Sequence, residues 1–176
     1  MVKGQLIGNT VSITTDFVEA QSLYDKSQFG ELTGKGNVKR IELALEEALY
    51  LIEHGKIEVY IGKKKLSFDE FVRKASRKEH NFWTRYRVYA DIRGRGYIVK
   101  TGLKFGADFR VYDRGAKPGQ AHAKWVLFAT DESDKMTWRQ FSAMNRVAHS
   151  TRKKLLIGIV DKESEVTFYE SAWRKP

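Results

Sequence analysis

The stretch Gly106-Ala-Asp-Phe-Arg-Val-Tyr-Asp-Arg-Gly-Ala-Lys-Pro-Gly-Gln-Ala-His-Ala-Lys124 is the one around which the chain is organised. Its first part, Asp108–Tyr112, reads as a strand whose residues point alternately to opposite faces. Asp113–Gly119 is a polar loop rich in turn formers and positive charge. The chain returns through Ala121–Lys124 into Trp125-Val-Leu-Phe128, a second strand. The loop thus joins two strands and carries Tyr112 and His122, ten positions apart, at its edges. A third titratable group, Lys153 in Ser150-Thr-Arg-Lys-Lys154, stands at the mouth of an apolar strand, Leu155–Val160.

Upstream of this core, Leu6-Ile7 and Thr10–Ile13 flank Gly8-Asn9, the dipeptide of a tight hairpin. Asp16 with Glu19 three residues later reads as a capping box opening a short helix that ends near Phe29-Gly30. Gly34-Lys-Gly36 is a loop. The spacing of Ile41, Leu45, Ala48, Leu49 and Ile52 predicts a helix over Ile41–His54, stopped by Gly55. Ile57–Ile61 is a strand with a basic turn, Gly62–Lys65, behind it. Ser67 and Glu70 form a second capping box, opening a helix through about Ala75.

The polar run Ser76–Asn81 is the linker candidate, dividing the chain into residues 1–80 and 81–176. Beyond it Phe82, Tyr86, Tyr89 and Ile92 recur at helical spacing and read as core rather than as a base-stacking platform. Tyr97–Thr101 is a strand, Asp131–Asp134 an acidic loop, and Thr137 caps a helix to about His149. After Leu155–Val160 comes a turn at Asp161–Ser164 and a last strand, Val166–Tyr169. The fold class is α/β (α+β): a small mixed α/β unit, then a mixed-sheet domain.

The 176 residues carry 32 basic and 22 acidic side chains, a formal net charge of +10, which favours a polyanionic partner. No amphipathic helix sets that charge opposite a broad apolar face, so nucleic acid is favoured over a membrane surface. With no apolar run of about 18 residues and no signal-peptide pattern, the expectation is a soluble cytoplasmic protein. Zero cysteines removes thiol catalysis, disulfides and Cys-based zinc sites together. The four histidines show no metal-ligand spacing, and no metal or other cofactor is expected.

Tyr, His and Lys together can cut RNA, because RNA carries its own nucleophile in the 2′-hydroxyl. The reaction needs a base for that proton, an acid for the leaving 5′-oxygen and a cation for the phosphorane. His suits the acid role and Lys supplies compact charge. A Tyr is a poor base unless cations lower its usual pKa of ~10, and Arg110, Arg114, Lys117 and Lys153 are cations of that kind. Taken singly, each of the three has an ordinary reading: strand-end aromatic, hydrogen-bonded strand residue, solvated basic cluster. A metal-dependent DNA nuclease would need clustered carboxylates beside a lysine. Asp108 and Asp113 are present, but Ala121-His-Ala-Lys124 stands where the acidic-x-Lys element belongs.

Several segments resemble the archaeal tRNA-splicing endonuclease family, in its short homotetrameric form. They are Arg85–Tyr97, Lys100–Phe109, Tyr112, Pro118-Gly119, His122 and Arg146–Leu156, with the lysine 31 residues after the histidine. The resemblance implies a restriction-endonuclease-like catalytic domain in the second half. It implies a tRNA-intron lyase, an endoribonuclease that cuts precursor tRNA at both bulges of a bulge-helix-bulge. The ends left would be a 2′,3′-cyclic phosphate and a 5′-hydroxyl, with no metal required. On this resemblance Tyr112 is the general base, His122 the general acid and Lys153 the transition-state cation. Arg146 is one of two side chains sandwiching a bulged base, and the other is Trp173 or Arg174. Asp131, Glu132 and Asp134 form the acidic loop that docks into a neighbouring subunit of a tetramer. The alternative within the family is a non-catalytic structural subunit.

Overall fold

The computed structural model describes residues 1–14, 17–34 and 39–176. It divides into two compact units, Met1–Tyr86 and Arg87–Pro176. The expected Asp16 cap and most of the Gly34–Gly36 loop lie outside the described residues.

In the first unit, strands β1 (Val2–Ile7) and β2 (Thr10–Ile13) form the expected hairpin, paired antiparallel from Ile7 with Thr10. Helix α1 (Phe17–Ser27) and strands β3 (Glu31–Thr33) and β4 (Arg40–Ala44) follow. Then come α2 (Leu45–Glu53), β5 (Ile57–Ile61), β6 (Lys64–Lys65) and α3 (Phe68–Lys78). The sheet runs β3-β4-β2-β1-β5-β6, antiparallel except where β1 lies parallel to β5.

The expected helix over Ile41–His54 is corrected at its front. Arg40–Ala44 is strand, and the helix begins only at Leu45. Ile41 and Leu43 are both buried, the period-2 half of a pattern whose Ile41/Leu45 spacing also fits a helix. Strand wins because β4 is hydrogen-bonded on both sides, to β2 and β3. The turn into α2 is closed by Glu47, whose carboxylate accepts from the backbone N–H of Ala44 at 3.0 Å and of Gly30 at 3.1 Å. The Ser67 box forms as read: Ser67 Oγ accepts from Glu70 N–H, and Glu70 accepts from Ser67 N–H. Such a cap is worth about 1 kcal/mol. It opens a helix that continues to Lys78, through part of the stretch read as linker.

A buried carboxylate gives this unit a pH dependence. Glu46, on α2, is 2 % exposed, and its Oε1 sits 2.8 Å from the Arg85 guanidinium, which also holds Glu79 at 2.7 Å. Burial outweighs the attraction of Arg85 and pushes the Glu46 carboxyl up to about 7 from its ordinary 4.5. The folded state therefore binds this proton more tightly than the unfolded chain. Its stabilising contribution is complete below pH 4.5 and is lost as pH rises to about 7, roughly 3 kcal/mol in all. Urea unfolding of wild type and Glu46→Gln at several pH values should show wild type losing stability relative to the variant across that window. A constant difference would refute the assignment.

The second unit is entered along α4 (Phe82–Gly94), whose stripe Phe82, Tyr86, Tyr89 and Ile92 is buried as core. Strands β7 (Ile98–Thr101), β8 (Phe109–Tyr112), β9 (Trp125–Asp131), β10 (Lys154–Val160) and β11 (Val166–Ser171) form one sheet in the order β11-β10-β9-β8-β7. All its neighbours are antiparallel except β9 and β10, which α5 (Trp138–Ser150) connects as a parallel crossover. The Thr137 cap on α5 forms as read, with Gln140 as its reciprocal partner. Gly158 on β10 lets α4 approach: a Cβ there would lie 2.8 Å from the Val88 side chain. Among the described residues no helix is long and apolar enough to cross a membrane.

Candidate active site

The hairpin-like turn read from Gly106–Lys124 places its residues by main-chain bonds at both ends. Lys124 N–H donates to Val111 O at 2.8 Å, closing the base of the loop between β8 and β9. Lys124 Nζ also reaches Asp113 at 3.4 Å. Inside the loop, Gln120 and Ala121 N–H groups both donate to Lys117 O at 3.0 Å. Tyr112 is 4 % exposed and packs with Ile98 and Ala123, with Ala116 against them. His122, one residue before the buried Ala123, is exposed.

Lys153 arrives from the start of β10, across β9 from Tyr112. The chain leaves α5 through Arg152, which takes a left-handed φ of 55°, and Lys153 N–H donates to Ala148 O at 2.8 Å. Lys154 N–H then donates to Lys124 O at 2.9 Å, locking β10 onto the end of the His122 loop. The Lys153 ammonium donates to Thr151 O at 3.0 Å and sits 4.8 Å from the centre of the Phe105 ring.

Phe105 belongs to a 3-10 turn, Leu103–Phe105, which the sequence reading did not place. Gly102 makes that turn possible, since a Cβ there would lie 2.8 Å from Ala107 O and from the Phe109 backbone.

Tyr112, His122 and Lys153 line one cleft of about 280 Å³, together with Phe105, Arg110 and the segment Gly119–Ala123. One loop and the distant start of β10 thus bring a phenol, an imidazole and an ammonium to a common space. Those groups can accept a proton, donate one and neutralise a growing negative charge.

The carboxylates a metal-dependent nuclease would use are occupied. Asp108 Oδ2 accepts from Ala129 N–H at 2.9 Å, and Asp113 pairs with Lys124. Among the described residues no three His, Asp or Glu side chains gather as a metal site.

A second cavity, about 650 Å³, lies between the last turns of α5 and the tail after β11. Arg146, Trp173 and Arg174 all line it. Trp173 is 55 % exposed and stands edge-on to His149, ring centres 4.4 Å apart. The spacing that singled out Arg146 gave no hint of His149, which lies one helical turn further along α5.

The acidic loop is internally organised. Asp131 accepts from the Ser133 hydroxyl at 2.5 Å and from its N–H at 3.0 Å, and these bonds hold its carboxyl below the usual range. Asp134 accepts from Thr130 Oγ1 and Asp131 N–H, both at 3.0 Å. Glu132 and Asp134 face solvent.

Residues 82–168 match the model of the tRNA intron endonuclease catalytic C-terminal domain, and residues 2–72 that of the N-terminal domain. The chain belongs to the tRNA intron endonuclease family. Its similarity to relatives named tRNA-splicing endonuclease extends over nearly the whole length. The Thermococcus kodakarensis protein is 40% identical over 176 residues, covering 99% of each chain. The one from Methanothermobacter thermautotrophicus is 38% identical over 175 residues, again 99% of each. A Nanoarchaeum equitans relative is 47% identical over 141 residues, 77% of this chain and 90% of its own.

Proposed function

We infer that the chain is an endoribonuclease that excises introns from precursor tRNA, with Tyr112, His122 and Lys153 as its catalytic residues. The observation that carries the assignment of residues is the single cleft all three line. In the proposed step, Tyr112 takes the proton of the 2′-hydroxyl beside the scissile phosphate. The 2′-oxygen bonds to phosphorus, the bond from phosphorus to O5′ breaks, and His122 gives its proton to O5′. Lys153 faces the negative charge that builds on the phosphoryl oxygens. The products are a 2′,3′-cyclic phosphate and a 5′-hydroxyl, the balance of an internal transfer in which no water is consumed. A non-catalytic subunit gives no reason for these three groups to share a cleft.

End-group analysis tests this reading. An intron-containing precursor tRNA incubated with the protein in excess chelator should give fragments with a cyclic phosphate at one end and a 5′-hydroxyl at the other. Fragments ending in a 5′-phosphate would overturn it.

The second cavity is the proposed seat of an unpaired base at the bulge, with Arg146 against one face and Trp173 or Arg174 against the other. Cutting two related bulges calls for two sites at fixed separation, which a symmetric oligomer supplies without an added domain. A tetramer docked through Asp131, Glu132 and Asp134 fits that need, since this loop is acidic in a chain of net charge +10. Replacing the three with Ser should split the assembly into smaller species by light scattering and lower cleavage. A fully assembled variant would reduce the loop to a solvated turn.

A further inference from the structure

One cation in the wall of the cleft, named so far only for its charge near Tyr112, has no contact with the phosphate in the step above. Arg110 lies two residues before Tyr112 on β8, so the two side chains rise from the same face of the sheet. Its guanidinium carbon is 5.8 Å from the centre of the Tyr112 ring, and both residues line the cleft. Arg110 Nε is buried and has no hydrogen-bond acceptor among the described residues. No Asp or Glu is among the residues lining the cleft, and nearby Asp108 and Asp113 have partners elsewhere.

These facts are in tension for a free-standing structural arginine. A guanidinium stays charged at any pH the protein meets, and a buried donor without an acceptor costs about 1–3 kcal/mol. Buried unsatisfied donors are rare in native structures and call for a reason. The Nε itself is enclosed, so an oxyanion entering the cleft would pair with the rest of the guanidinium, whose planar fork matches phosphate oxygens better than Lys does. Arg110 lines the same cleft as Tyr112, His122 and Lys153.

We propose that Arg110 is a fourth catalytic residue, which holds a nonbridging oxygen of the scissile phosphodiester as the 2′-oxygen attacks. The proposal rests on the reading of this cleft as the cutting site. A donor aimed at developing phosphoryl charge lowers the barrier to cleavage, whereas overall affinity comes from many phosphate contacts spread along the RNA.

The test uses a precursor tRNA with a single Rp or Sp phosphorothioate at one splice site, cut under single-turnover conditions by wild type, Arg110→Met, Arg110→Lys and His122→Ala. Arg110→Met keeps the apolar stem, and it should cleave the unmodified RNA about 100-fold more slowly with nearly unchanged RNA affinity. Sulfur at the oxygen that Arg110 holds should slow the wild type for one diastereomer far more than for the other. That difference should collapse in Arg110→Met and be intermediate in Arg110→Lys.

A fall in rate with the diastereomer difference intact would overturn the proposal, placing Arg110 in the fold or beside Tyr112 instead. An unchanged rate would also overturn it. Should Arg110→Met lower the unfolding midpoint too far to assay, Arg110→Lys carries the same test through its diastereomer ratio. His122→Ala separates the two levels of inference. If it cuts at the wild-type rate, the cleft is not the cutting site, whereas its inactivity beside an unaffected Arg110→Met sinks only the role of Arg110.

Discussion

His122→Ala is expected to cut precursor tRNA roughly 10²–10⁴-fold more slowly while binding it almost as well as wild type. The loss follows from the leaving group. An O5′ expelled without a proton departs as an alkoxide, and His122 is the imidazole lining the cleft. The small effect on binding follows from exposure: His122 is exposed on a loop whose shape is held by main-chain bonds that its side chain does not make. Single-turnover rates and filter-binding affinities on the same RNA check both halves. Equal losses in rate and affinity would make His122 a structural residue.

The second large effect is on the substrate side. A precursor tRNA with one 2′-deoxy sugar, at the nucleotide 5′ to the cut, should bind normally and remain intact at that site. The modification removes a single oxygen, but that oxygen is the nucleophile, and nothing else in the proposed step can replace it. The other splice site of the same molecule, left as RNA, serves as the internal control. Cutting at the deoxy position at a normal rate would require water as the attacking group and would discard the assignment of Tyr112 as the base.

Much of the architecture could be read from local chemistry. The Gly8-Asn9 hairpin, the Ser67 and Thr137 caps and the aromatic stripe of α4 follow from turn geometry, reciprocal hydrogen bonds and helical period, all local to a few residues. What escaped was decided by distant partners. Ile41 and Leu45 satisfy both periods while Leu43 fits only that of a strand, and pairing with β2 and β3 settles the matter in favour of a strand ending at Ala44. Strand β3 is three partly exposed residues, too short for any period to register.

The site divides in the same way. Tyr112, His122 and Lys153, the proposed catalytic residues, stand out in the sequence through their ordered resemblance to a known family, because the identity of each residue carries the signal. Phe105 and Arg110 were not singled out for the site. The place of Phe105 depends on a 3-10 turn allowed by the close approach at Gly102, and three residues leave no periodic trace. Arg110 appeared only as one cation among several. The lack of an acceptor for its buried Nε becomes visible only when β7 and β9 flank it in the sheet.

The bond from Lys154 N–H to Lys124 O also bears on how the protein comes into being. Tyr112 and His122 are neighbours as soon as the β8–β9 hairpin closes, a local event. Lys153 joins them only when β10 has crossed over α5 and paired in parallel beside β9, and such non-local pairing is slow because the loop entropy comes due before the contacts form. A chain released from its template before Lys153, or halted with the crossover unmade, holds two of the three groups and has no ammonium to set beside them. On the proposed assignment, a full set of the three groups would exist only once β10 has paired beside β9.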